Sequence, residues 1–354
     1  MLRPEQHAAL RDIERCRTAV LGGHLDVCTE CGYERPSYNS CRNRHCPKCQ
    51  ALAQARWIEK RVERVLPVHY FHVVFTLPGE LRAVARRHRE VVFDLLFASA
   101  SQTLLELGRD PDRLGAELGV TMVLHTWTRD LRFHPHVHAI VTGGGLSEDG
   151  SRWVPAGQAF LFPVHVMGAL FRGKMIAALQ CAQDRGAIDL GSVDIQALHE
   201  TRWVVYAKRP FGGPEQVLRY LGRYTHRVGI SNTRLVSMDD RTVTFRTKTG
   251  VTTLEGKAFL ARFLQHVLPP RFVKIRHYGL HSASHAKTRL LVAKNLLAPA
   301  PAPSSEPLAK ATDPVARIAQ LTGIDVRVCP ACHKPTLVRK PLPEQSRAPP
   351  AMAA

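Results

Sequence analysis

The sequence predicts an α+β protein in which antiparallel strands form one sheet with flanking helices, preceded by a cysteine-rich ribbon. Three observations predict it. Short β-branched and aromatic runs are bounded by turn signals, longer stretches of helical periodicity lie between them, and two Cys-x-x-Cys pairs fall within the first 50 residues. At 354 residues and 45% hydrophobic content, the chain can bury the cores of two or three units. The composition divides it into an N-terminal module over 1–56, a main domain over 57–292, and a linker and tail over 293–354. LAPAPAPSSEPLAKATDP reads as linker, and the Pro/Ala-rich end, PLPEQSRAPPAMAA, as disordered.

Taken in order, VHYFHVVFTL (68–77) is a strand, and Glu80 to Gly108 carries helical periodicity up to a glycine stop. VTMVLHTWTR (120–129) and FHPHVHAIVT (133–142) are two further strands, and the Asp-Gly of LSEDGSRW suits a hairpin. A helix is expected over 164–186 and a strand over 203–208. PEQVLRYLGRYTHR (214–227) reads as a helix with proline at its first position, and RTVTFRTKTGVTTL as a hairpin around Thr249-Gly250. Hairpin-linked strands interspersed with helices make the sheet antiparallel.

Forty-nine Lys and Arg against 30 Asp and Glu leave a net charge of +19. Such a field favours polyanions, so nucleic acid is the default partner. No apolar window long enough to span a bilayer is evident, and the N-terminus lacks the order of a secretion signal, so a cytoplasmic, nucleoid-associated protein without membrane contact is expected.

Nine cysteines in a reducing compartment argue for metal rather than disulfides. Cys28, Cys31, Cys46 and Cys49 form two knuckles with 14 residues between them, the spacing of a zinc ribbon. Four protein ligands leave no open position, so this Zn²⁺ is structural. Cys16, His24, Cys41 and His45 could complete a second zinc site; alternatively, Cys16 is a buried free thiol and His45 merely neighbours a ligand. The C-terminal Cys329-Pro-Ala-Cys332-His333 is a single knuckle lacking a partner pair. It could bind zinc between chains, recruit His333, or be the remnant of a longer ribbon. Cys181 reads as core, and Tyr206 and Tyr278 as packing residues or DNA contacts. Arg42, Arg44 and Lys48 crowd the second N-terminal knuckle, and Arg56, Lys60, Arg61 and Arg64 extend the basic run, which suits phosphate contacts or, alternatively, a solvated helix face.

HPHVHAIVTGGG places three histidines within five positions. On a strand His136 and His138 share a face while Val137 enters the core, an arrangement suited to chelation. A hairpin centred on Asp130-Leu131 sets His125 opposite His136 and completes a three-imidazole face; alternatively, His125 is merely a buried histidine. His134 shares the parity but lies one step too far, so it reads as a supporting group or a DNA contact.

Tyr220 and Tyr224 stand four residues apart on one helix face, a spacing that serves packing as well as catalysis, with Arg219, Arg223 and Arg227 forming a basic stripe beside them. An ordinary phenol is only about 0.1% ionised at neutral pH, a penalty of roughly 4 kcal/mol, so tyrosine attack on a phosphodiester needs help from a cation.

Four segments now resemble the rolling-circle transposases of the insertion-sequence ninety-one family, within the HUH (His, hydrophobic, His) endonucleases. They are SCRNRHCPKCQ, HTWTRDLRFHPHVHAIVTGGG, PFGGPEQVLRYLGRYTHRVGISNTRL and FVKIRHYGL. The resemblance implies an antiparallel HUH sheet of about five strands and a Mg²⁺ or Mn²⁺ ion at His136 and His138, with His125 less securely carried over. It further implies that Tyr220 and Tyr224 are nucleophiles that nick single-stranded DNA at mobile-element ends, leaving a 5′-phosphotyrosine and a free 3′-OH. A host helicase is a candidate partner. Two other readings stand beside this one: a plasmid replication initiator or relaxase with the same chemistry, and a non-catalytic zinc-dependent DNA-binding regulator.

Overall fold

The computed structural model describes residues 2–62, 64–211, 229–298 and 313–342. The chain opens with α1 (Pro4–Arg15), β1 (Gly23–Cys28), β2 (Glu34–Tyr38) and α2 (Ala51–Val62). The main sheet begins at β3 (Tyr70–Thr76), followed by α3 (Arg82–Arg87), α4 (Arg89–Arg109), β4 (Ala116–Trp127), β5 (Phe133–Ser147) and β6 (Trp153–Pro155). Then come α5 (Val164–Asp184), α6 (Ile195–Glu200), β7 (Val205–Phe211) and a second hairpin sheet of β8 (Leu235–Met238), β9 (Thr242–Arg246) and β10 (Val251–Glu255). The described elements end with α7 (Gly256–Leu264), β11 (Ile275–Gly279), α8 (Arg289–Leu297), α9 (Pro314–Thr322) and β12 (Leu337–Pro341). The helix expected over 214–227 lies outside the described residues.

The main sheet has the antiparallel path β11-β4-β5-β3-β7, with β6 paired to β5. This is the expected α+β arrangement, with five strands on the central path. The Asp-Gly turn joins β5 to β6 through Leu146 opposite Trp153, and the Thr249-Gly250 turn joins β9 to β10.

Strand alternation gives this sheet two unlike faces. Phe71, Val73, Phe75, Val120, Met122, Leu124, Val137, Ala139 and Val141 point into the main core, where α4 contributes Val92, Phe93, Leu96 and Phe97, and α5 contributes Met167, Phe171 and Met175. The opposite face carries His72, His125, His136 and His138 at one end and a small cluster of Tyr70, Val123 and Ile140 under Trp57 of α2 further along. Chemistry is thereby confined to the face that the two long helices leave free.

Two local expectations change. The helix from Glu80 is broken at His88 (φ −113°, ψ 51°), whose Nε2 accepts the Asp189 N–H at 3.1 Å. Contrary to the sequence expectation, α4 has the length and hydropathy of a bilayer span; 61% of its apolar window is buried, and its apolar residues form the core just described. Gly143 and Gly145 of β5 allow close packing: an added Cβ would meet the His69 ring at 2.3 Å and the Glu117 carbonyl at 2.6 Å.

Beneath the β4–β5 turn, His266 is fully enclosed. Its Nε2 donates to the Leu131 carbonyl at 3.1 Å, so its Nδ1 accepts from the Thr126 hydroxyl at 3.1 Å. Burial pushes its pKa down to about 4, and does the same for His281. In the unfolded chain these rings protonate near the ordinary value of about 6.5, so between there and pH 4 the unfolded state binds more protons. Stability is therefore complete above that window and falls with acidification, by up to about 1.4 kcal/mol per pH unit for each such histidine. Thermal melting should show a midpoint that drops progressively from pH 7 to pH 4.5, and His266→Phe should flatten the slope. A midpoint constant over that range contradicts the assignment.

Candidate metal centre

β4 and β5 place His125 directly opposite His136, with Val123 opposite His138. The turn between them is longer than two residues. Leu131 adopts φ 62°, the Thr128 N–H donates to the Arg132 carbonyl at 3.0 Å, and a register shift between His125 and Trp127 absorbs the extra residue. The pairing at the histidines survives because the irregularity lies on the turn side of it.

Nitrogen atoms of His125, His136 and His138 all lie within 4.8 Å of one another. Ring centroids are 4.2 Å apart for His125 and His138, 4.9 Å for His136 and His138, and 5.4 Å for His125 and His136. Nitrogens bound to one ion at about 2.1 Å sit roughly 3.0 to 3.4 Å apart, a spacing that small ring rotations reach from here. The donor set fits a divalent cation.

Hydrogen bonding sets the tautomers. The Nδ1 of His136 is 2.7 Å from the His134 carbonyl and must donate to it, which leaves the Nε2 lone pair free for a ligand bond. The Nδ1 of His138 lies 2.8 Å from Nε2 of His72 on β3, so an imidazole that ligates through Nε2 is oriented by its neighbour. Burial pushes His136 and His72 down to about 4 and His138 well below the ordinary histidine value, keeping all three neutral at pH 7 as cation binding requires. Trp127 stacks on His125 with centroids 4.5 Å apart. His134 lies outside the three-nitrogen set, with Nδ1 at 3.4 Å from Arg82.

The three histidines line a cleft of about 580 Å³ whose other walls include Trp127, Arg129, His134 and the β9–β10 hairpin residues Thr247, Lys248, Thr249 and Thr252. His72 and Lys248 were not legible as site residues, the first because it sits on a strand distant in sequence, the second because only the packing of the second sheet brings it here. Tyr220, Tyr224, Arg219, Arg223 and Arg227 lie outside the described residues.

The cysteines group differently from the ribbon expected. Cys16, Cys41, Cys46 and Cys49 converge in one set, and Cys28, Cys31, Cys329 and Cys332 in another. The reason is the strand between the knuckles. Cys28 and Cys31 occupy the β1–β2 turn, and the five extended residues of β2 carry the chain roughly 16 Å before Cys41, too far for both knuckles to share one ion. Hydrogen bonds between Arg17 N–H and the Asn39 carbonyl, and between Cys41 N–H and Cys16 Sγ, bring Cys16 to the second knuckle instead. Cys41 and Cys49 sulfurs stand 3.8 Å apart, matching the edge of about 3.8 Å for a zinc tetrahedron with 2.3 Å bonds. The four-cysteine set of the first 50 residues is thus a closed site suited to structural zinc.

Neither histidine proposed for a second N-terminal site is a ligand in these clusters. His24 pairs with Asp26 at 3.0 Å. His45 accepts the Leu268 N–H through Nε2 and lies 3.1 Å from Asn43 Oδ1 through Nδ1, and burial pushes its pKa down to about 3. Arg44, expected at DNA, instead donates to the carbonyls of Phe272 and Pro269 at 2.6 and 2.7 Å, docking the zinc module on the main domain. Arg42 and Lys48 remain exposed. Cys181, expected in the core, is exposed beside Arg185; Tyr206 is exposed, and Tyr278 packs against the main core.

Because His72 is hydrogen-bonded to His138 without being in the three-nitrogen set, a cation held by that set predicts that His72→Phe weakens Mn²⁺ binding by about 10- to 100-fold in calorimetry, whereas His134→Ala changes it by less than about threefold. Equal losses in the two variants contradict that assignment.

Residues 119–289, which include all three histidines, match a family described as "Putative transposase". Residues 1–77, which include the first cysteine set, match a family described as "Transposase zinc-binding domain". The chain is 44% identical over 354 aligned positions to "Putative transposase y4qJ" of Sinorhizobium fredii, covering 94% of this chain and 88% of that one. It is 28% identical over 308 positions to "Transposase for insertion sequence element IS801" of Pseudomonas savastanoi pv. phaseolicola, covering 77% of this chain and 72% of that one. No solved structure matches the chain. A zinc-binding N-terminal module, a transposase domain and a full-length transposase relative together mean that the chain belongs to the insertion-sequence-91 family of transposases.

Proposed function

We propose that this transposase nicks single-stranded DNA at element ends by tyrosine attack and transfers the strand through a 5′-phosphotyrosine, with Mg²⁺ or Mn²⁺ held by His125, His136 and His138. The observation that carries the reading is the convergence of three imidazoles, those of His136 and His138 held neutral, in an open cleft with basic residues in its wall. A cation bound there supplies Lewis-acid polarisation of the scissile phosphate and neutralises charge as it develops.

The chain's own residues do the rest. His72 and the His134 carbonyl fix the ligand rings, so little reorganisation accompanies the reaction. Arg129 and Lys248 offer charge to the backbone phosphates flanking the scissile one, and Trp127 offers an aromatic surface. Tyr220 and Tyr224 are the nucleophiles in this reading. In cleavage a phenolic oxygen forms a bond to phosphorus as the 3′ oxygen leaves, the phenol's proton ending on the free 3′-OH; in transfer a 3′-OH attacks that phosphorus and the phenolic oxygen leaves, so the phosphodiester energy is retained. Gly229, five positions after Tyr224 in sequence, abuts Leu131 of the β4–β5 turn, and the Arg234 guanidinium ties the Gly229 and Arg129 carbonyls. A host helicase exposing the strand is compatible with a single-strand-specific centre.

A labelled single-stranded end oligonucleotide incubated with the chain and Mn²⁺ should yield a covalent protein–DNA adduct. The adduct should vanish in Tyr220→Phe/Tyr224→Phe and persist in Tyr206→Phe. His136→Ala/His138→Ala should slow nicking by about a thousandfold or more, the several kcal/mol expected of a Lewis acid. Adduct retained in the double tyrosine variant would place the nucleophile elsewhere.

A further inference from the structure

The second cysteine set contains residues from both ends of the chain. The structure assigns Cys28, Cys31, Cys329 and Cys332 as a second closed zinc site, one that fastens the C-terminal segment to the N-terminal module. Cys28 and Cys332 sulfurs are 3.7 Å apart, as are those of Cys31 and Cys329. Both distances fit the edge of about 3.8 Å expected for four thiolates around zinc.

The two turns are built alike, as paired zinc knuckles require. In the first, the Cys31 N–H points at Cys28 Sγ at 3.5 Å, and Gly32 at φ 71° returns its N–H to the Cys28 carbonyl. In the second, the Ala331 N–H points at Cys329 Sγ at 3.4 Å, and His333 at φ 59° returns its N–H to the Cys329 carbonyl. His333 thus occupies the left-handed position that Gly32 fills in the other knuckle, a backbone role and not a ligand. A single knuckle in sequence is half of a site in space.

Surrounding contacts hold the halves together. β12 pairs with β1 from His24 opposite Pro341 to Cys28 opposite Leu337, making β1 the centre of a three-stranded sheet. The Thr29 N–H donates to the Thr336 carbonyl, Lys334 pairs with Glu30 at 2.8 Å, and Arg317 of α9 pairs with Glu59 of α2. The boundary drawn at 293 therefore separates segments that share one sheet. Soft thiolate donors in a tetrahedral array select zinc over Mg²⁺ or Mn²⁺, so this site and the histidine centre take different metals. With every position filled by protein, the site is structural, and its effect is to close a loop of some 300 residues.

Metal analysis of the purified full-length chain tests this. The intact chain should carry about two zinc ions, and Cys329→Ser/Cys332→Ser and Cys41→Ser/Cys49→Ser about one each. Two zinc ions retained in Cys329→Ser/Cys332→Ser, or a single one in the intact chain, would overturn the assignment. Thiol alkylation of the unaltered protein gives a second readout that needs no variant to fold. Cys31 and Cys332 should resist labelling while zinc is bound and become labelled after chelation, with exposed Cys181 labelled throughout. Labelling of Cys31 and Cys332 as fast as Cys181 in the zinc-loaded protein would also overturn it.

Discussion

The pairing of β4 with β5 is the constraint on which the candidate centre depends. One residue of slip would send His125 or the His136–His138 pair into the apolar core, where unpaired imidazoles are costly, and would bring Val137 or Leu124 to the cleft. The register is held from both sides. Val120, Met122 and Leu124 must enter the same core as Val137, Ala139 and Val141, and β3 pairs with β5 through His138 opposite Val74. Hydrophobic burial on one face thus fixes the position of polar chemistry on the other.

That division of labour extends to the rest of the molecule. The long helices α4 and α5 cover only the apolar face, so the opposite face is free to carry imidazoles at one end and to receive α2 at the other. His136 and His138 stay neutral because burial disfavours their charged forms, and they stay aligned because the His134 carbonyl and His72 occupy their second nitrogens. The zinc module is docked through Arg44 and His45, whose side chains meet the backbone at Pro269, Phe272 and Leu268. Arg44, which reads as a DNA contact, and His45, which reads as a ligand, are joints between the zinc module and the main sheet's domain.

Much of the fold was legible because period-two alternation and turn chemistry act locally. The strands over 68–77, 120–129 and 133–142, both hairpins and the opposition of His125 to His136 follow from parity and a short loop. The cysteine pairing was not legible in the same way. Spacing showed that Cys28-x2-Cys31 and Cys46-x2-Cys49 are knuckles, but which knuckles meet depends on the extended β2 between them and on a C-terminal strand some 300 residues away. His72 escaped for the same reason: its role arises from strand pairing across 66 residues, and an isolated histidine in an apolar run carries no local mark of it.

The account stands on a cation seated among three imidazoles, and pulsed electron paramagnetic resonance of Mn²⁺ on the full-length chain tests that most directly. Imidazole nitrogen couplings should be present in the intact protein, weaken in His125→Ala and disappear in His136→Ala/His138→Ala. A spectrum of fully hydrated Mn²⁺ without nitrogen coupling in the intact protein would contradict it.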